Sequence, residues 1–301
     1  MRIVTRPDFD GIVCAVLLQD LEIGAGPICW IEPGAIQNRQ VEIKEGDILA
    51  NLPYHENCSM WFDHHYTNRI PGEFNGAFAI APSAAGVIYT YYRNRFGDKF
   101  SELVRQADKI DSADLSENEV IFPESNPFVL LSMTISGRSK SDEPYWNSVV
   151  ELLREKTMDH VMGDPEVKKK CDQVVARNRV YKDQLMECTT VQGPVAVTDF
   201  RNCDKTPEGN RFLAYTLFKD AVVSVKIRYD QDDRNHIILS VGHSIFNKNC
   251  QVNAGLLLSK FNGGGHFGAA ACRFHKDFSD SYIPEIVETL KRNTALESEI
   301  P

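Results

Sequence analysis

The sequence predicts an α/β protein with a largely parallel sheet in its N-terminal half, a long connecting helix and a smaller α/β domain at its C-terminal end. Short apolar segments alternate with helical segments over the first half, which is typical of a parallel sheet. Residues 164–188 form one uninterrupted helical pattern that begins with Asp-Pro-Glu, a signal for a helix start. Segments rich in valine and isoleucine follow it and predict the strands of the second domain.

The length and composition fit a globular protein of two domains. The chain has 301 residues, and a domain typically takes about 100–200. Hydrophobic residues make up 43% and charged residues 25% of the chain, as in ordinary globular proteins. We place the boundary at the end of the long helix, so that one domain covers residues 1–188 and the other residues 189–301.

Charge and cysteine usage exclude several classes of partner. The net charge is −9, whereas proteins that grip long nucleic acids present a basic face. The longest apolar runs are far shorter than the roughly 18–20 residues of a membrane span, and residues 1–6 resemble a strand rather than a signal peptide. Eight cysteines without a CxxC pair indicate reduced thiols and no structural zinc. We therefore expect a cytoplasmic protein that binds neither membranes nor long nucleic acids.

The individual elements follow from the spacing of apolar residues and from turn signals. In the first half we predict strands at residues 1–6, 27–32, 46–53, 60–63 and 77–81, and helices that start near residues 12, 83 and 100. In the second half we predict strands at residues 193–198, 222–227 and 237–241, and helices near residues 209–218, 252–261 and 282–292.

The first candidate site is a pair of aspartates, Asp8 and Asp10, just after the first strand. Residues two apart in an extended segment point to the same side, and two carboxylates at one place repel each other unless a cation lies between them. Divalent metals with oxygen ligands are the usual solution. The alternative is an ordinary turn in which Asp10 caps the helix that begins near Ile12.

The second candidate site is Asp63-His64-His65, which ends the apolar run Met60-Trp61-Phe62. In open α/β sheets, ligands bind at the carboxyl ends of strands, so this position favours a chemical role. The alternative is that Asp63 caps a turn and both histidines are ordinary surface residues.

Two helical segments add acidic and anion-binding candidates. Asp108, Asp111 and Asp114 are spaced three apart, so neighbouring members share a helix face and repel each other unless one is neutralised. The alternative is a solvated acidic face. The free N–H groups of the helix that starts after Ser83 can receive a phosphate, or Ser83 simply caps this helix.

The last candidate site is Gly263-Gly264-Gly265-His266, followed by Gly268 and three alanines. Glycines permit a ligand to approach the backbone closely. The N–H groups ahead of a small-residue helix, which we expect after this motif, can hold an anion. The alternative is a flexible loop.

These motifs, in this order along essentially the whole chain, resemble those of the DHH/DHHA1 phosphoesterase family. That family includes RecJ-type exonucleases, oligoribonucleases that cleave linear dinucleotides and, more distantly, exopolyphosphatases and family II pyrophosphatases. The resemblance implies a parallel-sheet DHH domain, a connecting helix and a smaller DHHA1 domain. It also implies Mn²⁺ (or Mg²⁺) as cofactor, and hydrolysis of a phosphoester or phosphoanhydride bond in a small phosphorylated compound, a dinucleotide, a short oligonucleotide or a polyphosphate.

The resemblance also implies a role for each matching residue. The metal ligands would be Asp8 for the first ion, Asp10 and His64 for the second, and Asp111 as the late bridging ligand, with Asp108 and Asp114 as competitors. Asp63 would hold His64 by a hydrogen bond, His65 and Arg6 would act on the substrate phosphate, and Gly263, Gly264, Gly265 and His266 would bind the far end of the substrate.

Three departures mark a divergent member of the family. Val4 stands where relatives have a metal-binding histidine, and Asn51 stands at the position of a bridging aspartate, so Asn51 would be a weaker ligand. His243-Ser244 replaces an Arg-Ser pair at the substrate site. We therefore expect one or two ions, and a homodimer is possible. The alternative function is a catalytically impaired relative that binds a nucleotide or phosphate.

Overall fold

The chain divides into two compact units, which are described separately. The computed structural model describes residues 1–24, 26–38, 40–137 and 139–295. The first unit comprises Met1–Leu115 and Pro123–Val174, and the second comprises Ser116–Phe122 and Val175–Pro301. The division falls inside the long helix, earlier than the boundary predicted at residue 188, and the last six residues of the predicted C-terminal domain lie outside the described residues.

The helices of the described residues follow the predicted order, with further helices at residues 33–37 and between residues 93 and 163. They are α1 (Phe9–Asp20), α2 (Pro33–Gln37), α3 (Ala84–Tyr91), α4 (Arg93–Phe96), α5 (Ser101–Asp111), α6 (Glu117–Ile121), α7 (Pro127–Ser132), α8 (Glu143–Glu155), α9 (Met158–Gly163), α10 (Pro165–Cys188), α11 (Leu213–Leu217), α12 (Ala254–Ser259) and α13 (Ser279–Arg292). Among the described residues, no helix combines the length and the apolar character that crossing a membrane requires.

The N-terminal unit contains a five-stranded sheet in the order β2-β1-β3-β4-β5. Every neighbouring pair in it is parallel, which confirms the predicted parallel sheet. Because all strands run in one direction, their carboxyl ends lie at one edge. The strands are β1 (Arg2–Thr5), β2 (Ile28–Trp30), β3 (Asp47–Ala50), β4 (Met60–Asp63) and β5 (Gly76–Phe78).

Helix α1 is the centre of the N-terminal core. Residues 12–18 are all fully buried, and the helix contacts α3, α5 and α8. Each fully buried large apolar side chain contributes about 1.5–3 kcal/mol, so α1 is fixed firmly. Asp8 caps it by accepting the N–H of Gly11. The loop between β1 and α1 is therefore held at both ends.

The C-terminal unit contains a six-stranded mixed sheet in the order β10-β11-β9-β8-β7-β6. The β7–β8 pair is parallel and the other pairs are antiparallel. Its core includes alternate residues of β8 and β9, together with apolar residues of α12 and α13. The strands are β6 (Thr189–Gln192), β7 (Val195–Asp199), β8 (Val223–Tyr229), β9 (His236–His243), β10 (Gly264–His266) and β11 (Ala269–His275).

The segment after the glycine-rich motif is a strand, so the helix expected there is wrong. Strand β11 pairs with β10 on one side and with β9 on the other. Ala270, Cys272 and Phe274 are buried whereas their neighbours are not, which is the period of two that a strand requires. Alanine favours helices, but the packing of this alternating face decides the local structure.

Candidate metal centre

Polar side chains collect at the carboxyl edge of the parallel sheet in the N-terminal unit. Asp8 and Asp10 follow β1, Asn51 follows β3, and Asp63-His64-His65 ends β4. Asp111, the last residue of α5, joins them. The structure thus brings together residues that lie more than a hundred positions apart in the sequence.

Asp10 is held by the start of helix α3. Its Oδ2 accepts the N–H of Ala84 at 2.9 Å, and its Oδ1 accepts the N–H of Ala85 at 2.8 Å. Burial nevertheless raises the pKa of Asp10 well above its ordinary range, and the charges of Asp111 and Asp8 raise it further. An ionised Asp10 therefore requires an additional positive charge nearby.

Asp10 differs from both expectations based on the sequence. It lies within the first turn of α1 and is not in an extended segment. The N-cap of α1 is Asp8, so Asp10 does not cap the helix either. Asp8 has the extended backbone of an N-cap and Asp10 a helical one, so the rule that residues two apart in a strand point to the same side does not apply to this pair.

His64 presents an unpartnered nitrogen to two carboxylates. Its Nδ1 lies 2.9 Å from the carbonyl oxygen of Ala81, which can only accept, so Nδ1 carries the proton. The buried Nε2 has no hydrogen-bond partner among the described residues. It lies 3.8 Å from Asp10 Oδ2 and 3.4 Å from Asp111 Oδ2. A neutral imidazole with its other nitrogen bonded to a carbonyl is the usual form of a metal-binding histidine.

The three aspartates near α5 have different surroundings. Asp111 lies beside His64, as described above. Asp108 accepts a hydrogen bond from the Ser83 hydroxyl at 2.6 Å, so this carboxylate is already engaged. Asp114 is exposed beyond the end of the helix. It belongs to neither of the two groups whose ligand atoms lie close together, which are Asp63-His64-His65 and Asp10-His64-Asp111. Asp10, His64 and Asp111 place their ligand atoms within 4.8 Å of one another, which fits a divalent cation.

Asp8 is surrounded by donors from the protein itself. Its Oδ1 accepts from the Gly11 N–H at 2.8 Å and from Asn51 Nδ2 at 3.0 Å. Its Oδ2 lies 3.3 Å from Nε of Arg6, which is also 3.3 Å from a carboxylate oxygen of Glu32. Burial raises the pKa of Asp8 to about 6, against the opposing effect of the Arg6 guanidinium. Arg6 is thus the counter-ion of Asp8 in this structure.

The Asp8 side of the site differs from the His64 side in the ligand atoms that positions 51 and 4 offer. Asn51 has a left-handed backbone with φ of 57°, a conformation that asparagine tolerates. It is 1% exposed, and its Oδ1 has no partner among the described residues. Val4 is fully buried in β1 and offers no ligand atom.

Asp63 contacts His65 and not His64, which corrects the expected partner. Asp63 is fully buried; its Oδ1 lies 2.9 Å from His65 Nδ1, and its Oδ2 accepts from Asn68 Nδ2 at 2.7 Å. The hydrogen bond with Asp63 raises the pKa of His65. The His64 and His65 rings lie 4.2 Å apart between centroids. His65 therefore places a partly exposed, readily protonated ring beside the Asp10–His64–Asp111 cluster.

The start of α3 is a structural anchor and not a free anion site. Ser83 accepts the N–H of Gly86 and caps the helix. The N–H groups of Ala84 and Ala85 are occupied by Asp10. The pattern at Ser83 indicates the helix start but not its partner, the Asp10 carboxylate. The anion at a helix N-terminus can be a side chain from 74 residues away as well as a ligand.

The glycine-rich motif forms an exposed hairpin in the C-terminal unit. A Cβ at Gly263 or Gly265 would lie 2.4 Å from a backbone oxygen, whereas a Cβ at Gly264 would meet nothing within 4 Å. Packing thus explains why positions 263 and 265 are glycine, whereas a side chain at position 264 would meet open space. His266 is exposed at the end of β10.

The residues at His243-Ser244 have distinct roles. Ser244 is buried, and its hydroxyl accepts the N–H groups of Phe246 and Asn247, so it stabilises a turn. Nε2 of His243 lies 2.9 Å from the Val252 carbonyl oxygen, which leaves Nδ1 as an acceptor. Burial lowers the pKa of His243, which favours the neutral form of the ring.

Comparisons with solved structures give matches along the whole chain. The pGpG-specific phosphodiesterase PggH from Vibrio cholerae is 29% identical, with a TM-score of 0.84 over 97% of this chain and 99% of that protein. RecJ from Thermus thermophilus in complex with Mn²⁺ is 13% identical, with a TM-score of 0.58 over 100% of this chain and 54% of that one. An exopolyphosphatase-related protein from Bacteroides fragilis is 14% identical, with a TM-score of 0.55 over 97% and 93%. No protein-family model and no curated protein matches the sequence.

Proposed function

We propose that this chain, which has the DHH-family phosphoesterase fold, is a metal-dependent phosphodiesterase that cleaves a linear dinucleotide. The observation that supports metal dependence most directly is the buried, unpartnered Nε2 of His64 between two carboxylates. The substrate class is supported by the similarity to PggH, which extends over nearly the full length of both chains.

The ligands of the ion would be Asp10, His64 and Asp111, and the ion would be Mn²⁺ or Mg²⁺. A divalent ion in such a site supplies Lewis-acid activation of the phosphodiester and lowers the pKa of a bound water. The protein itself fixes the ligands: α3 holds the Asp10 carboxylate through two N–H groups, and the Ala81 carbonyl orients the His64 ring. This arrangement preorganises the site.

We infer that the site holds one ion and not two. Asp8 and Asn51 are the remaining candidate ligands. The Asp8 oxygens already accept from Gly11 and Asn51 and lie beside Arg6, and Asn51 offers only the neutral oxygen of an amide. The Arg6 guanidinium supplies the positive charge that a second ion would bring. A crystal grown with Mn²⁺ tests this inference. We expect one anomalous peak within reach of Asp10, His64 and Asp111, and a second, fully occupied peak at Asp8 would contradict it.

His65 and Arg6 would act on the scissile phosphate. His65 donates from Nδ1 to Asp63, so the protonated ring has its Nε2–H available for a phosphate oxygen or the leaving oxygen. Arg6 is about 39% exposed along its side chain and can hydrogen-bond to a phosphate while it stays near Asp8.

Within the C-terminal unit, the glycine-rich hairpin and His243 are the proposed substrate-binding elements. Gly264 leaves room for the ligand at the backbone, and the exposed His266 can contact a phosphate. The neutral Nδ1 of His243 accepts hydrogen bonds, which suits a nucleobase N–H better than a phosphate.

A substrate panel tests the proposed function. Full-length protein with Mn²⁺ is incubated with pGpG, pApA, a 24-residue RNA, pyrophosphate and short polyphosphate, and products are separated by chromatography. We expect mononucleotide from at least one dinucleotide and slower release from every other substrate. Rapid hydrolysis of polyphosphate with intact dinucleotides would place the protein in a different substrate class.

The second candidate function is a binding protein without catalytic activity. The observation that favours it is Asp8, whose oxygens are occupied by protein donors, so that one side of the site lacks a free carboxylate. Saturable binding of a dinucleotide with no hydrolysis in the presence of bound Mn²⁺ would support this alternative over the enzyme.

A further inference from the structure

A cleft that is separate from the candidate metal centre lies entirely within the C-terminal unit. It has a volume of about 760 Å³, and its walls are α10 between residues 176 and 184, the loop at residues 200–208 after β7, and the turn at residues 229–234 between β8 and β9. We name it the α10 cleft. Small-molecule sites typically enclose about 300–1,000 Å³, so the size suits a ligand such as a nucleotide.

The α10 cleft is distinct from the glycine-rich hairpin. It adjoins Tyr229, which pairs with Ile237 at one end of the β8–β9 ladder, whereas Val223 pairs with His243 at the other end. The hairpin lies at that other end, since Ala269 pairs with Gly242. The seven residues of β8 separate the two places by about 20 Å.

Three cations line the α10 cleft. Arg177 and Lys205 line it and form no ion pair or hydrogen bond within the described chain. Arg234 lies over the ring of Tyr229, 5.2 Å from its centroid. This grouping occurs in a chain whose net charge is −9, so general basic composition does not explain it.

Three acidic residues also line the cleft, and they differ in their partners. Asp230 is neutralised by Arg273, whose Nε lies 2.6 Å from its Oδ2. Glu208 is engaged by other groups of the protein. Asp204 remains as the one acidic lining residue without a partner in the described part of the chain. The lining therefore carries three cations and three carboxylates, of which Asp230 is paired with Arg273. Attraction for an anion is local to Arg177 and Lys205, the cations without an acidic partner among the described residues.

The floor of the cleft is apolar and aromatic. Phe200 is 1% exposed and packs against Tyr181, whereas Val180 is 58% exposed although it is apolar. The Tyr229 ring, with the Arg234 guanidinium over it, adds a stacking surface for a planar group. Aromatic rings and arginine planes are the groups on which nucleobases stack, and Arg and Lys bind phosphate through charge-assisted hydrogen bonds.

We propose that the α10 cleft is a second ligand site of this protein, specific for a nucleoside monophosphate. The base lies on the apolar floor beside Tyr229, and the phosphate is bound by Arg177 and Lys205. All of these residues belong to the C-terminal unit, so binding requires neither the ion nor the residues of the candidate metal centre.

Calorimetric titration of the full-length protein tests this proposal. The titrations are done in EDTA with GMP, AMP, CMP and UMP, and with guanosine and inorganic phosphate as partial ligands. We expect at least one monophosphate to bind saturably, and to bind at least tenfold more tightly than guanosine or phosphate alone. Equal affinity for phosphate alone would contradict the role of the apolar floor, and no binding of any monophosphate would overturn the proposal.

Matched variants locate the binding. The double variant Arg177→Gln, Lys205→Gln removes the proposed phosphate ligands, and Arg179→Gln removes an exposed cation of the same helix that does not line the cleft. We expect at least tenfold weaker binding in the double variant and wild-type affinity in Arg179→Gln. All three side chains are exposed, so the variants should fold, which their melting temperatures check. Wild-type affinity in the double variant would assign the binding to another site and overturn the proposal.

Discussion

At the scale of single residues, the buried Nε2 of His64 defines the chemistry of the centre. It faces oxygens of Asp10 and Asp111 with no donor in between. A lone pair directed at two carboxylates is unfavourable unless a cation or a proton joins them. A divalent ion bound between these groups would relieve the unfavourable contact, as the proposed function requires.

This arrangement predicts that stabilisation by Mn²⁺ depends on pH. The pKa of Asp8 is raised to about 6, and burial raises the pKa of Asp10 well above its ordinary value near 4. In the metal-free protein these carboxyls bind protons more tightly when folded, so stability falls as pH rises from about 4 through about 6. The ion should offset this loss. The increase in melting temperature caused by Mn²⁺, relative to EDTA, should be larger at pH 7.5 than at pH 5. An increase independent of pH would contradict the assignment.

The substitution Asn51→Asp tests the inferred single ion. A carboxylate at this position would face Asp8 at the 3.0 Å now spanned by a hydrogen bond, so the metal-free variant should melt at a lower temperature than wild type. With Mn²⁺ the new ligand should raise the metal content per chain, measured by mass spectrometry after gel filtration. Asn94→Asp adds the same charge on the exposed surface of α4 and should change neither value. Two ions already bound by wild type would refute the inference.

At the scale of elements, helix α1 approaches the loop after β1 closely, and this contact positions Asp8 and Asp10. A Cβ at Gly11 would lie 1.9 Å from the carbonyl oxygen of Arg6. Gly11→Ala should therefore displace the loop or the helix and destabilise the protein by about 1–3 kcal/mol. In helix α2, a Cβ at Gly34 has its nearest contact at 3.9 Å, so Gly34→Ala serves as the control and should be neutral or stabilising by up to about 1 kcal/mol. Denaturant unfolding measures both, and equal stability of the two variants would contradict this account.

Two substitutions in the glycine-rich hairpin distinguish an effect on packing from an effect on ligand binding. Gly265→Ala would place Cβ 2.4 Å from the Ala269 carbonyl oxygen at φ of 151°, so it should lower the melting temperature. Gly264→Ala meets no protein atom within 4 Å and should leave the melting temperature unchanged. If the substrate approaches this backbone, Gly264→Ala should raise KM for the dinucleotide about tenfold, equivalent to about 1.4 kcal/mol. An unchanged KM would exclude the hairpin from the substrate site.

At the scale of the whole molecule, the charge predicts a preference for short substrates. A chain with net charge −9 gains little from the backbone of a long strand, because binding of long nucleic acids depends on basic surfaces. We expect kcat/KM to be highest for a dinucleotide and to fall as 5′-phosphorylated RNA is lengthened to 4, 8 and 24 residues. A rise with length would contradict this prediction.

The sequence predicted the architecture better than the contacts of the site. Regular alternation of short strands and helices was sufficient for the parallel sheet, and the spacing of polar residues indicated the cluster at its edge. The predicted hydrogen bond between Asp63 and His64 was wrong, because the choice between His64 and His65 depends on the orientation of the two rings after β4. The anchor of Asp10 on α3 was missed because it joins segments 74 residues apart. The alanines of β11 were assigned to a helix because strand pairing, which overrides local propensity there, is not visible in the local pattern.

The most direct test of the central claim is the rate of mononucleotide release from pGpG and from pApA by metal-stripped protein as Mn²⁺ is added stepwise. Asp10, His64 and Asp111 form the proposed ion site, and Arg6 supplies the charge beside Asp8. We predict no release without Mn²⁺ and a rate that reaches its plateau near one equivalent of tightly bound ion. Undiminished release in the metal-stripped protein, or no release at saturating Mn²⁺, would contradict the account.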